Sequence, residues 1–230
     1  MNKLFLTATV LVSLSASAHA DTYNLESLVS GHGSFTYDGL TFSNFSAVST
    51  GPNAVNLNYI DLVTVNIGVG EGAGFILTGS LEAFAGGHGD LSLSYDVSTS
   101  TGSLITDSFL RGTGVAVNGA NWNVSENYTN PANNAQIGNG LTISNNAIVG
   151  SETFAGVKSL IVAQNIGWNG GGAINGFVDL SQVEQTFSVS AGGGPPPPEA
   201  PGPVPGAGHL GFFGLALGAA ALKLRRRFAS

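Results

Sequence analysis

Ser34-Phe35-Thr36-Tyr37-Asp38-Gly39-Leu40-Thr41-Phe42-Ser43-Asn44-Phe45 alternates aromatic or aliphatic residues with small polar ones on both sides of an Asp-Gly pair. A period of two marks a strand with one buried face, because successive side chains leave the pleat on opposite sides. Asp-Gly accepts the positive φ angles of a type I′ turn, so this stretch predicts a β-hairpin. Leu91-Ser92-Leu93-Ser94-Tyr95-Asp96-Val97 repeats the pattern and predicts a half-buried strand with Leu91, Leu93, Tyr95 and Val97 facing inward.

Working outward from these two segments, further strands are expected over 23–29, 62–67, 74–78, 103–110, 115–117, 122–129, 159–163 and 183–189. Asn118-Gly119, between Val117 and Trp122, predicts another tight connection or a bulge. Between the two ends of the chain nothing sustains a 3.6-residue apolar period with caps. Short strands separated by Gly-, Asn- and Ser-rich turns predict an all-β fold, an antiparallel β-sandwich or jelly roll with two sheets over one core, and a barrel as second choice.

The two ends read differently. Residues 1–20 carry Lys3, an apolar run from Leu4 to Leu14 and small residues ending in Ala18-His19-Ala20. That is the pattern of a secretory signal peptide, with the mature chain starting at Asp21 and a β-domain over 21–190. Residues 191–205 form a Gly/Pro-rich linker, including Pro195 to Pro198, which favours polyproline II and acts as a semi-rigid spacer. Residues 206–230 hold an apolar run from Leu210 to Leu222 followed by Lys223, Arg225, Arg226 and Arg227. A helix over that run rises about 20 Å against a hydrocarbon core of about 30 Å, so a single short membrane helix is expected, strained or transient. The basic cluster places its end on the cytoplasmic side of the inner membrane and the rest of the mature chain outside.

Residues 21–190 contain thirteen acidic residues against two basic ones, Arg111 and Lys158, for a net charge of −11. Phosphate backbones and anionic lipid surfaces need cations that this region lacks, so no nucleic acid partner is expected. The chain has no cysteine, which excludes disulfides, thiol catalysis and zinc-thiolate sites. About 170 residues can supply one core able to hold the domain without them.

With its Pro198-Glu199-Ala200-Pro201 motif, apolar run and terminal Arg225, Arg226 and Arg227, the tail resembles the PEP-CTERM sorting signal of Gram-negative bacteria. The second proline stands one residue later than in the Pro-Glu-Pro form, and Val204-Pro205-Gly206-Ala207-Gly208 is a second candidate for the peptide that is read. The resemblance implies recognition by an exosortase, a membrane cysteine transpeptidase. It also implies transient anchoring, then a place at the cell surface or outside it, in an exopolysaccharide or biofilm setting. A plain uncleaved C-terminal anchor is the alternative. Phe42-Ser43-Asn44-Phe45 and Ile105-Thr106-Asp107 are similar to segments found in the bodies of other PEP-CTERM proteins, which implies one β-rich domain.

Candidate sites are few. Trp122 sits among Asn118, Asn121, Asn123 and Asn127, and Trp168 beside Asn169 and a run of glycines, so both are candidates for stacking on a sugar, against the alternative that each fills the core. His32, His88 and Asp90 offer imidazole and carboxylate to a divalent metal, although two histidines on separate Gly-rich turns read more simply as exposed loop residues. A surface hydrolase would need paired carboxylates, for which Glu71, Glu82, Asp90, Asp96 and Asp107 are available at spacings that pair none of them. No nucleophile elbow, zinc-protease helix or phosphate loop appears, so a non-enzymatic structural or adhesive role is expected, without catalytic residues. Calcium is the one cofactor that acidic extracellular loops would suit, and no calcium-loop motif names its ligands.

Overall fold

Asp38 and Gly39 have φ angles of 47° and 81°, and Tyr37 pairs with Leu40, so the hairpin closes through the type I′ turn that Asp-Gly favours. Asn118 and Gly119, at 54° and 80°, form the same kind of turn, with Ala120 N donating to Val117 O at 3.1 Å, but the strands they join lie in different sheets and do not pair. The computed structural model describes residues 20–66, 72–100 and 102–191. The expected signal peptide through His19, residues 67–71 with Glu71, Thr101, and the expected linker and tail from residue 192 lie outside the described residues.

The strands are β1 (Thr22–Asn24), β2 (Phe35–Tyr37), β3 (Leu40–Thr50), β4 (Asp61–Asn66), β5 (Ala73–Phe84), β6 (His88–Thr99), β7 (Ser103–Val117), β8 (Asn121–Thr129), β9 (Gln136–Ser144), β10 (Val149–Val157), β11 (Ser159–Asn169) and β12 (Phe177–Ala191). One short helix, α1 (Leu25–Ser30), and a 3-10 turn at Leu57–Tyr59 complete the described residues. Two six-stranded antiparallel sheets result, ordered β1-β4-β5-β12-β7-β10 and β2-β3-β6-β11-β8-β9. From β5 onward the chain switches sheets at every connection except β8 to β9, which is the winding of a jelly roll. Both sheets keep open edges, so the sandwich rather than the barrel is the outcome.

Three expectations about strands need correction. The stretch 23–29 is extended only to Asn24, whose side chain caps α1 by accepting from Ser27 N (3.2 Å), and Leu25 and Leu28 then share one buried helix face. Segments 103–110 and 115–117 are one strand running through Gly112 and Gly114. β9 and β10 are two further strands, which carry no clear alternation because they are rich in Gly, Ser and Thr and bury little beyond Leu141 and Ile143. Where the alternation was clear it held: Leu91, Leu93, Tyr95 and Val97 are all buried.

Between the sheets, one end of the core is aromatic, with Phe42 and Phe75 edge-on at 5.5 Å and Phe75 and Tyr95 at 5.3 Å. The other end is filled by Trp122 and Trp168, cross-strand partners on β8 and β11. Each indole needs a strand without a side chain in front of it. A Cβ on Gly112 would stand 2.5 Å from Trp122 Cη2, and one on Gly89 would run into the ring of Trp168.

Bulges decide which residues face this core. Asn44, at φ 55°, is an extra residue in β3 and lets Phe42 and Phe45, three apart, both turn inward. The register shift between Ser188 and Val189 gives β7 one extra residue, so Ile105 and Ser108 are both buried. A third shift, between Leu180 and Gln182, reverses the phase of β12 and turns Val183, Gln185 and Phe187 inward after Leu180.

Candidate functional site

Strict alternation along β8 points Trp122, Val124, Glu126 and Tyr128 into the sandwich. Glu126 is thereby a carboxyl at 1% exposure in the middle of the core. Around it stand Tyr128 of β8, Gln164 of β11, Gln185 of β12 and, through Tyr128, Ser108 of β7. Tyr128 Oη lies 2.6 Å from Glu126 Oε2, and Gln164 Nε2 donates to Glu126 Oε1 at 2.8 Å. Ser108 Oγ lies 2.7 Å from Tyr128 Oη.

Hydrogen-bonding capacity orients the Gln185 carboxamide. Its oxygen accepts from Ser108 Oγ (2.8 Å) and its nitrogen donates to Glu126 Oε2 (2.8 Å), an orientation that gives the carboxamide a donor for its oxygen and an acceptor for its nitrogen. The line Glu126, Tyr128, Ser108, Gln185 then has three oxygen–oxygen contacts and needs three protons. Two hydroxyls supply two, and a neutral carboxyl supplies the third. Burial raises the Glu126 pKa from 4.5 to about 7, against the hydrogen bonds from Tyr128, Gln164 and Gln185, which lower it. Tyr128 and Tyr95 are held well above the ordinary phenol value, first by burial and then by the Glu126 charge. Tyr95 Oη and Gln164 Oε1 are buried without a hydrogen-bond partner, so the cluster keeps unused capacity.

The residues singled out from sequence lie elsewhere. Trp122 and Trp168 are 1% and 2% exposed, so neither indole face is open to a sugar, and stacking recognition by exposed tryptophan is overturned. Their fluorescence should accordingly be that of buried indole, and a soluble polysaccharide or a collisional quencher should leave it nearly unchanged; emission typical of hydrated indole would contradict the packing described. His88 and Asp90 lie near the start of β6, whereas His32 sits in the α1–β2 connection, and among the described residues no three His, Cys, Asp or Glu side chains gather as a metal site. Asp90 and Asp96 share the outer face of β6 six residues apart, about 20 Å along a strand, while Glu82 and Asp107 belong to the other sheet. None of these four pairs with another of them, although Glu82 stands opposite Asp179 of β12. Arg111 is joined to Glu184, its cross-strand partner on β12.

The outer face of the second sheet is a different kind of surface. Ser, Thr and Asn dominate it, and its carboxylates are Asp90 and Asp96. It carries a shallow groove of about 310 Å³ lined by Ser46, Ser92, Ser94, Ser125, Asn127 and Asn165 among others, with no charged residue in the lining. The Glu126 cluster was legible in principle, since the alternation of β8 assigns Glu126 to the inner face and that of Val183, Gln185 and Phe187 assigns Gln185 there too; Ser108 was not, because a bulge sets its phase. Among the described residues no helix is long and apolar enough to cross a membrane. No family model matches the chain, and no curated protein matches it in sequence.

Proposed function

We propose that the protein is an exported surface or extracellular-matrix component, and that its sandwich is a structural or adhesive body rather than an enzyme. On this reading an exosortase-type transpeptidase takes the chain from the inner membrane through the C-terminal signal around Pro198, Glu199 and Pro201, and the body then serves in an exopolysaccharide setting. The observation that carries it is where the body keeps its chemistry. Its dense cluster of reactive groups is sealed between the sheets, and what it offers outward over the second sheet is a broad field of hydroxyls and amides with little charge. Such a face suits many weak hydrogen bonds to uncharged polymer chains better than the strong electrostatics of a catalytic cleft.

The intact mass of protein recovered from a host with the sorting machinery and from one without it tests the reading. The expected species begins at Asp21 in both, and loses the segment beyond the Pro-rich linker only where the machinery is present. Persistence of the chain through Ser230 in both hosts would leave an uncleaved anchor and overturn delivery by an exosortase.

A further inference from the structure

We infer that Ser108 and Gln185 form an intramolecular ester that ties β7 to β12 inside the sandwich, made by the protein itself with Glu126 and Tyr128 moving the proton. The observation behind it is a nucleophile, an electrophile and a proton path in one dry cluster. Ser108 is fully buried, and its Oγ lies 2.8 Å from the carboxamide oxygen of Gln185, one bond from the carbon it would attack. The two residues are diagonal neighbours on adjacent strands, Ser108 pairing with Phe187, and both reach the core through the bulges described above.

The step balances without an added reagent. With Glu126 ionised, the Ser108 hydroxyl proton passes to Tyr128 Oη at 2.7 Å as the Tyr128 proton passes to Glu126 Oε2 at 2.6 Å. The Ser108 oxygen lone pair forms the Oγ–Cδ bond to Gln185. The Cδ–N bond then breaks, its electron pair leaves with nitrogen, and that nitrogen takes the proton back from Glu126 Oε2, which it faces at 2.8 Å. Ammonia departs, Glu126 returns to the carboxylate, and an ester replaces an amide and a hydroxyl. Burial of Ser108, Glu126 and Gln185 limits the access of bulk water to the ester. The link spans 77 residues of sequence in a chain without a cysteine, and restrains the unfolded chain as a disulfide would.

Intact-mass measurement of the purified, folded protein tests this directly. The expected result is a loss of about 17 Da, the mass of ammonia, from the sequence mass. After proteolysis, one species should contain both the Ser108 and the Gln185 peptides, and hydroxylamine should separate them. Ser108→Ala should abolish the loss, Glu126→Gln should slow it at least tenfold, and Ser108→Thr, which keeps a hydroxyl, should retain it. Unmodified mass in folded protein would overturn the proposal. So would a loss that survives Ser108→Ala and maps to a succinimide at an Asn-Gly pair such as Asn118-Gly119 or Asn139-Gly140. The joined peptide is sought in the unmutated protein, so a variant that fails to fold does not decide the matter.

Discussion

Raising the pH from about 5 to about 8 should cost the sandwich about 2 to 3 kcal/mol of stability, and Glu126→Gln should remove most of that dependence. Glu126 titrates near 4.5 when the chain is unfolded and near 7 when it is buried. A group whose pKa rises on folding contributes its full stability below the unfolded value, and that contribution is lost as the pH climbs through the folded one. The window is therefore about pH 4.5 to 7, and the sign is opposite to that of a surface carboxylate held by an ion pair. Counted for the chain before Ser108 and Gln185 are joined, the line from Glu126 through Tyr128 and Ser108 to Gln185 is one proton short above the window. An amide at position 126 has no proton to lose in this range, so its contacts do not change with pH. Urea denaturation of both proteins at each pH reads the slope, whatever the absolute stabilities. A wild-type slope equal to that of Glu126→Gln would mean that Glu126 is not titrating in the core.

Trp122→Ala should destabilise the fold by about 3 to 5 kcal/mol, the cost of emptying a large buried aromatic site. Gly112→Ala, a single added methyl on the facing strand, should cost about 1 to 3 kcal/mol, because its Cβ would meet Cη2 and Cζ3 of the Trp122 ring at 2.5 and 2.7 Å. Those two atoms belong to the far edge of the indole, which phenylalanine lacks. In a Trp122→Phe background the added methyl should therefore be nearly neutral, a coupling a double-mutant cycle measures from denaturation midpoints. Additive effects would show that Gly112 is glycine for some reason other than the ring in front of it.

Much of the architecture was open to reading because the strands of the second sheet alternate plainly. Leu91 to Val97 and Trp122 to Tyr128 place their apolar residues on one face without exception, and Asp38-Gly39 and Asn118-Gly119 mark their turns chemically. What could not be read were changes of phase. A bulge costs one residue and reverses the face of everything beyond it, as at Asn44 and in β7 and β12. Ser108 looks like a surface residue until those shifts are known, whereas Gln185 alternates in step with Val183 and Phe187. Glu126 is placed inward by the alternation itself, but a carboxylate on the inner face runs against the usual partition of charge to the surface. The tryptophans misled in the opposite sense: their Asn-rich neighbours are the solvent-facing residues of the same strands, adjacent in sequence and on the other side of the sheet.

The last strand to be synthesised, β12, lies at the heart of the first sheet, between β5 and β7. Until Phe177 to Ala191 have left the ribosome, β5 and β7 have no neighbour on their facing edges, and the inner faces of both sheets have nothing complete to close over. The fold is thus all or nothing in time as well as in energy. Pairings of such long sequence separation form slowly, and they leave the growing chain loose enough to be threaded through a narrow channel before it sets.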